Sequence, residues 1–298
     1  MIVAAIVAPL LVLWALGHVY SRSLDRALSD RFPRGPSGVI VGAEEVNRQG
    51  TNGAAVLLIH GAGDTPQTLR HLCDELNARG YAVVAPLLPG HGRSLNDLSS
   101  HSADDWYTEV RDRHAMLRQN HSWVGVVGLS MGGAIAARLA ADSSSVNALV
   151  LAAPYLAMPR VEDLAVRTSF VWGIFVPSVR TSSQLSVLDP EARTASLSYG
   201  AMGTRALRAL RVTAERGLDS LQRVRAPTLI VQSTTDNRVS AADTLHAYDL
   251  LGSDEKAIEW VEGAGHVITV DYGWQRVALL VADWMDAHRN DANAKGAP

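Results

Sequence analysis

One cysteine in 298 residues, Cys73, leaves no partner for an internal disulfide and no basis for a multi-cysteine zinc site. It falls on a segment with helical apolar spacing, where a free cysteine serves as a small buried hydrophobe rather than a reactive thiol. Strong charge of either sign is also missing. The formal net charge is -3 at pH 7, so no surface suited to nucleic acid is expected. Residues 1–20 carry no charged side chain at all. A helix of that length rises about 30 Å, the thickness of a bilayer's hydrocarbon core, and Pro9 is tolerable within it. No Lys or Arg precedes the apolar run and no clear cleavage site follows it. That favours an uncleaved membrane anchor over a signal peptide whose removal would leave a secreted protein. Arg22, Arg26, Arg31 and Arg34 come after the run, which places the globular part on the cytoplasmic side. Residues 21–37, with Pro33, Gly35 and Pro36, read as a linker.

What is present from residue 38 onward is an alternation. Hydrophobic residues make up 47% of the chain and charged ones 19%, the balance of a globular protein. Short apolar runs, strand-like at 39–41, 54–59, 81–85, 123–128 and 148–152, are separated by helix-spaced segments at 67–79 and 103–119 and after Ser130. Strand and helix in turn predict an α/β domain over 38–289, with a mostly parallel central sheet covered by helices on both faces. Between 154 and 225 the strand pattern lapses, and the stretch is too long for a simple connection. It reads as a helical cap insertion whose apolar residues Phe170, Trp172 and Phe175 bind substrate. The sheet resumes at 228–232 and 257–261, a last helix covers about 274–288, and 290–298 form a flexible tail.

The chemistry gathers around Gly128-Leu129-Ser130-Met131-Gly132, where a buried strand turns sharply into an Ala-rich helix. The turn lifts Ser130 into the open, and the glycines leave room for the close approach of strand and helix. A serine needs a base to take its proton and a carboxylate to hold that base. Asp236 and His266 both follow expected strands, so they fall on the same carboxyl edge of the sheet as Ser130. Asp243 is a rival for Asp236, but it lies in an expected helix. The backbone N–H of Met131, at the start of the helix, and that of Ala62, in His60-Gly61-Ala62-Gly63, suit an oxyanion hole. His60 and His91 are read as loop organisers.

Together with Pro89-Gly90-His91-Gly92-Arg93-Ser94 and Gly265-His266, these motifs resemble the α/β-hydrolase superfamily. More narrowly they are similar to bacterial carboxylesterases and monoacylglycerol lipases, over about residues 54–287. The resemblance implies a capped serine hydrolase without cofactor or metal, acting on small-molecule acyl esters through an acyl-enzyme. Short to medium acyl esters or monoacylglycerols are the expected substrates, with thioesters, lactones and perhydrolase chemistry as alternatives on the same triad. A membrane-anchored, non-catalytic binding protein would need a broken triad or oxyanion loop.

Overall fold

The computed structural model describes residues 2–181 and 183–295. Helix α1 (Ile2–Arg31) opens the chain, followed by strands β1 (Val46–Arg48) and β2 (Ala54–Ile59), helix α2 (Arg70–Ala78) and strand β3 (Ala82–Ala85). Helices α3 (Leu95–Ser100) and α4 (Ala103–Asn120) each begin at a capping box, Ser94 with Asp97 and Ser102 with Asp105. In each, hydroxyl and carboxylate accept from backbone amides that the helix itself leaves unpaired. Strand β4 (Trp123–Leu129), helix α5 (Met131–Asp142) and strand β5 (Ala148–Ala152) complete the first half. An insertion carries α6 (Arg160–Trp172), β6 (Ser178–Arg180), α7 (Pro190–Ala195), β7 (Ala201–Gly203) and α8 (Thr204–Ser220). Strand β8 (Thr228–Ser233), helix α9 (Ala241–Leu250), strand β9 (Lys256–Val261) and helix α10 (Trp274–Lys295) close the fold.

The main sheet has seven strands in the order β1-β3-β2-β4-β5-β8-β9, parallel throughout except for the β1–β3 pair. Strand residues alternate between two apolar cores. On β2, Ala55, Leu57 and Ile59 join Trp106 and Val110 of α4 and Ile135 of α5, whereas Ala54, Val56 and Leu58 join Leu72 and Leu76 of α2 and Val277 and Val281 of α10. A strand covered on both faces has no polar side to show, which is why β2, β4 and β5 read as unbroken apolar runs. Each fully buried Leu or Val contributes about 1.5–3 kcal/mol. Cys73 sits in the second core with no exposure, and burial pushes its thiol up to about 12, so it stays protonated and inert.

The fold departs from the sequence expectations in five places. The edge strand lies at 46–48 rather than 39–41, because Ile40 makes only an isolated bridge, to Arg34. Residues 21–31 are not a linker but the second half of α1. Leu24 and Leu28, four residues apart on one helix face, and then Phe32 are buried in the first core. The cap includes a two-stranded antiparallel ribbon, β6 with β7, too short to show a period. Helix α8 is as much core as cap, since it packs along α5 with Ala206 and Ala209 in the first core. At the far end α10 continues past His288 to Lys295, in line with a sequence free of Gly and Pro up to Gly296. Of the expected tail, residues 296–298 lie outside the described residues.

Candidate active site

At the carboxyl end of β4, Ser130 adopts φ 55° and ψ -118°, a left-sided conformation that a side chain takes only when its surroundings over-determine it. They do so here from both sides. The Ser130 amide donates to the Ala152 carbonyl at 2.9 Å, and the Ser130 carbonyl accepts from Gly133 at 2.9 Å and Tyr155 at 3.1 Å. Strand and helix meet so closely that a Cβ on Gly128 would overlap the Gly132 carbonyl, and one on Gly132 the carbonyl of Ile59.

His266 reaches Ser130 from the loop after β9. The Ser130 hydroxyl donates to His266 Nε2 at 2.7 Å, and Nδ1–H donates to Asp236 Oδ2 at 2.8 Å, a tautomer fixed by the carboxylate. Asp236 follows β8, its side chain nearly without exposure. Burial alone would raise its carboxyl. The hydrogen bond and charge of His266, with the Val239 and Arg238 amides at 3.0 and 2.7 Å, outweigh that and hold it below the usual range. Gln232 Nε2 donates to Oδ2 as well, at 2.8 Å. Asp243 is committed elsewhere, to the capping box of α9 with Ser240. The histidine loop is itself held by Asp271, a fully buried carboxylate that accepts from the amides of Gly265, Leu188, Asp189 and Tyr272 at 2.7–2.8 Å. Ser233 and Thr235 hydroxyls add two bonds of 2.6 Å to the Ala264 carbonyl. Two of its partners, Leu188 and Asp189, lie in the distant cap, and nothing in the sequence marks that half of the anchorage.

Opposite the helix, the loop after β2 brings Ala62 to the cavity wall beside Ser130. The Met131 N–H opens α5 and therefore has no acceptor within the helix. Behind the loop, His60 donates from Nδ1 to the Gly61 carbonyl at 2.9 Å and accepts the Leu88 amide on Nε2 at 3.1 Å. Burial, partly offset by the bond to Gly61, lowers it to about 4, so it stays neutral and can do both at once. Its edge meets His91, whose ring in turn meets Trp106, and burial keeps His91 neutral too.

The cavity at Ser130 and His266 has a volume of about 360 Å³, within the range of small-molecule sites. Of the three expected binding residues the structure brings only Trp172 to its wall. Phe170 is 68% exposed and lines a different hollow, and Phe175 turns its backbone to Gly17 of α1. Phe170 points away from the site by the helical geometry of α6, and Phe175 lies beyond the end of that helix. The apolar wall is built instead from Met158, Val166, Met202, Leu207 and Leu210, with Tyr155 and Tyr199. Asp64, two residues after Ala62, also lines the cavity. Burial raises its carboxyl to about 6, against the opposing charge of His266 and a hydrogen bond from Ser198. Its place in the loop after β2, two residues from Ala62, is the one sequence signal for it.

This fold and this constellation are those of an α/β-hydrolase. Residues 50–272 match the family described as "Serine aminopeptidase, S33", and the chain belongs to that family. It is 28% identical to the thermostable monoacylglycerol lipase of Bacillus sp. (strain H-257), over 82% of this chain and 93% of that one. To the carboxylesterase of Bacillus subtilis (strain 168) it is 26% identical, over 73% and 86%. Among solved structures, one from the LipS and LipT metagenome-derived lipolytic enzymes superposes with a TM-score of 0.78 at 25% identity, over 84% of this chain and all of that one. The monoacylglycerol lipase of Paleococcus ferrophilus gives 0.72 at 22% identity, over 82% and 98%, a likeness of fold. The chain is therefore an enzyme, a serine hydrolase of the lipase and esterase kind.

Proposed function

We propose that this enzyme hydrolyses carboxylic esters of short to medium acyl chains, monoacylglycerols among them, through an acyl-enzyme on Ser130. The observation that carries the reading is the hydrogen-bonded line from Ser130 through His266 to Asp236 at the mouth of a largely apolar cavity. His266 accepts the Ser130 proton as Oγ attacks the ester carbonyl, and Asp236 steadies the imidazolium that forms. The N–H groups of Met131 and Ala62 hold the developing oxyanion. His266 then protonates the departing alcohol and activates the water that releases the acid. An apolar wall favours an acyl ester over the aminoacyl amide that the family description suggests.

Rates across p-nitrophenyl esters, monoacylglycerols and aminoacyl amides test the substrate class, and amides outpacing esters would reject it. Ser130→Ala is expected to lower hydrolysis by roughly 10⁴–10⁶-fold, and His266→Ala by a comparable factor, with little further loss in the double variant because the groups act together. A serine-directed phosphonate should label wild type and not Ser130→Ala; equal labelling of the two would falsify the nucleophile assignment.

The same proposal puts α1 in a bilayer with the globular part on the cytoplasmic side. Among the described residues one helix is long and apolar enough to cross, near the N-terminus, and its Leu11, Leu13, Leu16 and Val19 are exposed. Arginines follow that stretch and none precedes it. Protease protection of membrane vesicles checks the orientation.

A further inference from the structure

Apart from the Ser130 cavity, a second hollow of about 630 Å³ lies between α1, α3 and the cap. Its α1 side runs from Trp14 to Asp25, across the point where the uncharged stretch ends at Tyr20 and charge begins at Arg22. Three guanidinium groups line it, Arg22, Arg205 and Arg208, against the single carboxylate of Asp25. Asp25 Oδ1 is engaged by the Leu95 amide at 2.9 Å. Half-buried Arg208 donates to the hydroxyl of buried Ser169 at 2.8 Å, a neutral partner. Arg22 and Arg205 are exposed, and among the described residues neither joins an ion pair. Some arginines elsewhere on this surface are paired with carboxylates, as Arg211 is with Asp163 and Arg79 with Asp286, and others bond backbone carbonyls, as Arg93 bonds Ser37. Helix α8 begins on the wall of the hollow and adds the positive end of its dipole.

The surface around this basic hollow is apolar. Phe170, Val171 and Ile174, at the end of α6, are exposed beside the exposed face of α1. Gly17 seats that part of the cap, since a Cβ there would overlap the Phe175 carbonyl. The apolar tip of the cap is thus level with Gly17, three residues before Tyr20, or roughly 5 Å along the helix axis. With α1 in a bilayer, a reading on which this inference rests, the tip sinks to the depth typical of interfacial apolar surfaces. Arg22, two residues past Tyr20, then stands near the lipid phosphates, and Arg205 and Arg208 share its hollow.

We propose that the hollow between α1 and the cap is a headgroup site for an anionic phospholipid of the membrane that holds α1. Arg22, Arg205 and Arg208 donate to the phosphate, and the acyl chains lie along the exposed apolar residues of α1 and α6. A zwitterionic lipid fits less well, because its cation would face three like charges. The site is separate from the Ser130 cavity but touches the cap at β6, where the Ser178 amide already donates to Ser21 Oγ of α1 at 3.0 Å. A bound lipid would therefore fix the edge of the cap relative to the membrane.

The test uses the full chain in nanodiscs of equal phosphatidylglycerol and phosphatidylcholine, with retained lipid read by native mass spectrometry. Wild type should retain phosphatidylglycerol in preference, and Arg22→Gln/Arg205→Gln should lose about tenfold of that preference for each charge-assisted contact removed. Both side chains are exposed and outside the Ser130 cavity, so hydrolysis of a short soluble ester should stay unchanged and report an intact fold. Equal retention of the two lipids by wild type, or a preference that survives the double substitution, overturns the site. Excess inorganic phosphate that strips the retained phosphatidylglycerol would assign the hollow to a soluble anion and overturn the lipid reading. Flotation separates the premise from the inference. Protein left behind by vesicles of either lipid rejects the anchor and the site with it, whereas protein that floats on phosphatidylcholine without preferring phosphatidylglycerol rejects the site alone.

Discussion

Two carboxylates face His266 under opposite electrostatics, and their difference sets the pH behaviour of the site. Asp236 accepts four hydrogen bonds and is held ionised. Replacing it by Asn offers Nδ1 an amide in place of a carboxylate, admits the wrong tautomer and should cost roughly 10⁴-fold in kcat with the fold retained. Asp64 is raised to about 6 by burial. Because its folded value lies above its unfolded one, the stability linked to it is fully present below the unfolded value and is lost as pH rises through about 6. Asp64→Asn keeps a partner for Ser198 and removes that loss. The variant should unfold at higher denaturant than wild type at pH 8, by on the order of 1–2 kcal/mol, and match it near pH 4. A gain of equal size at both pH values would mean that packing, not charge, is responsible. Asp64 loses its charge as pH falls through about 6, so kcat/KM in wild type should carry an acid-side component near that pH that is absent from Asp64→Asn.

Among the elements, the loop after β9 and the cap are coupled through Asp271. Its carboxylate gathers amides from Gly265 and Tyr272 on one side and Leu188 and Asp189 on the other, so the segment that presents His266 and the segment that closes the cavity share one anchor. Asp271→Ala would strand four amide donors and should destabilise the protein by about 3–5 kcal/mol, with lost activity regained in part where the fold is rescued at low temperature. Urea melts of the variant check the first half of that expectation. On the proposed function, the cap would set acyl-chain length through the residues that face the cavity. Each accommodated methylene is worth about 0.8 kcal/mol, close to fourfold in rate. Leu210→Trp should therefore shorten the preferred acyl chain, while Phe170→Ala should leave the profile of ester lengths where it was. The reverse result would show that the substrate reaches the active site along the outer face of α6.

For the whole molecule, α1 joins a membrane-length segment to the hydrolase core without a hinge. On the proposed anchoring, deleting residues 2–20 should release a soluble, active enzyme, because no residue of the Ser130 cavity lies there. Deletion through Phe32 removes Leu24, Leu28 and Phe32 from the first core, at about 1.5–3 kcal/mol each, and should yield a poorly folding domain. Comparing the two truncations by thermal melting tests the continuity of helix and core. This second half of α1 read as a linker because Pro33, Gly35 and Pro36 punctuate the segment, yet the i, i+4 pair of leucines decided its structure. The parallel strands of the main sheet, the elbow at Ser130 and the loop positions of Asp236, His266 and Ala62 were legible in the sequence. They rest on local chemistry, on both-sided burial of apolar runs and on the space that Gly128 and Gly132 leave in one tight turn. The short ribbon of β6 and β7, the cavity wall of Met158, Leu207 and Leu210, the anchorage at Asp271 and the docking of α1 on the cap were decided by tertiary structure alone. Each depends on which face of an element meets a neighbour far away in the chain, and a sequence read along its length carries the period of a helix but not the direction from which its partner arrives.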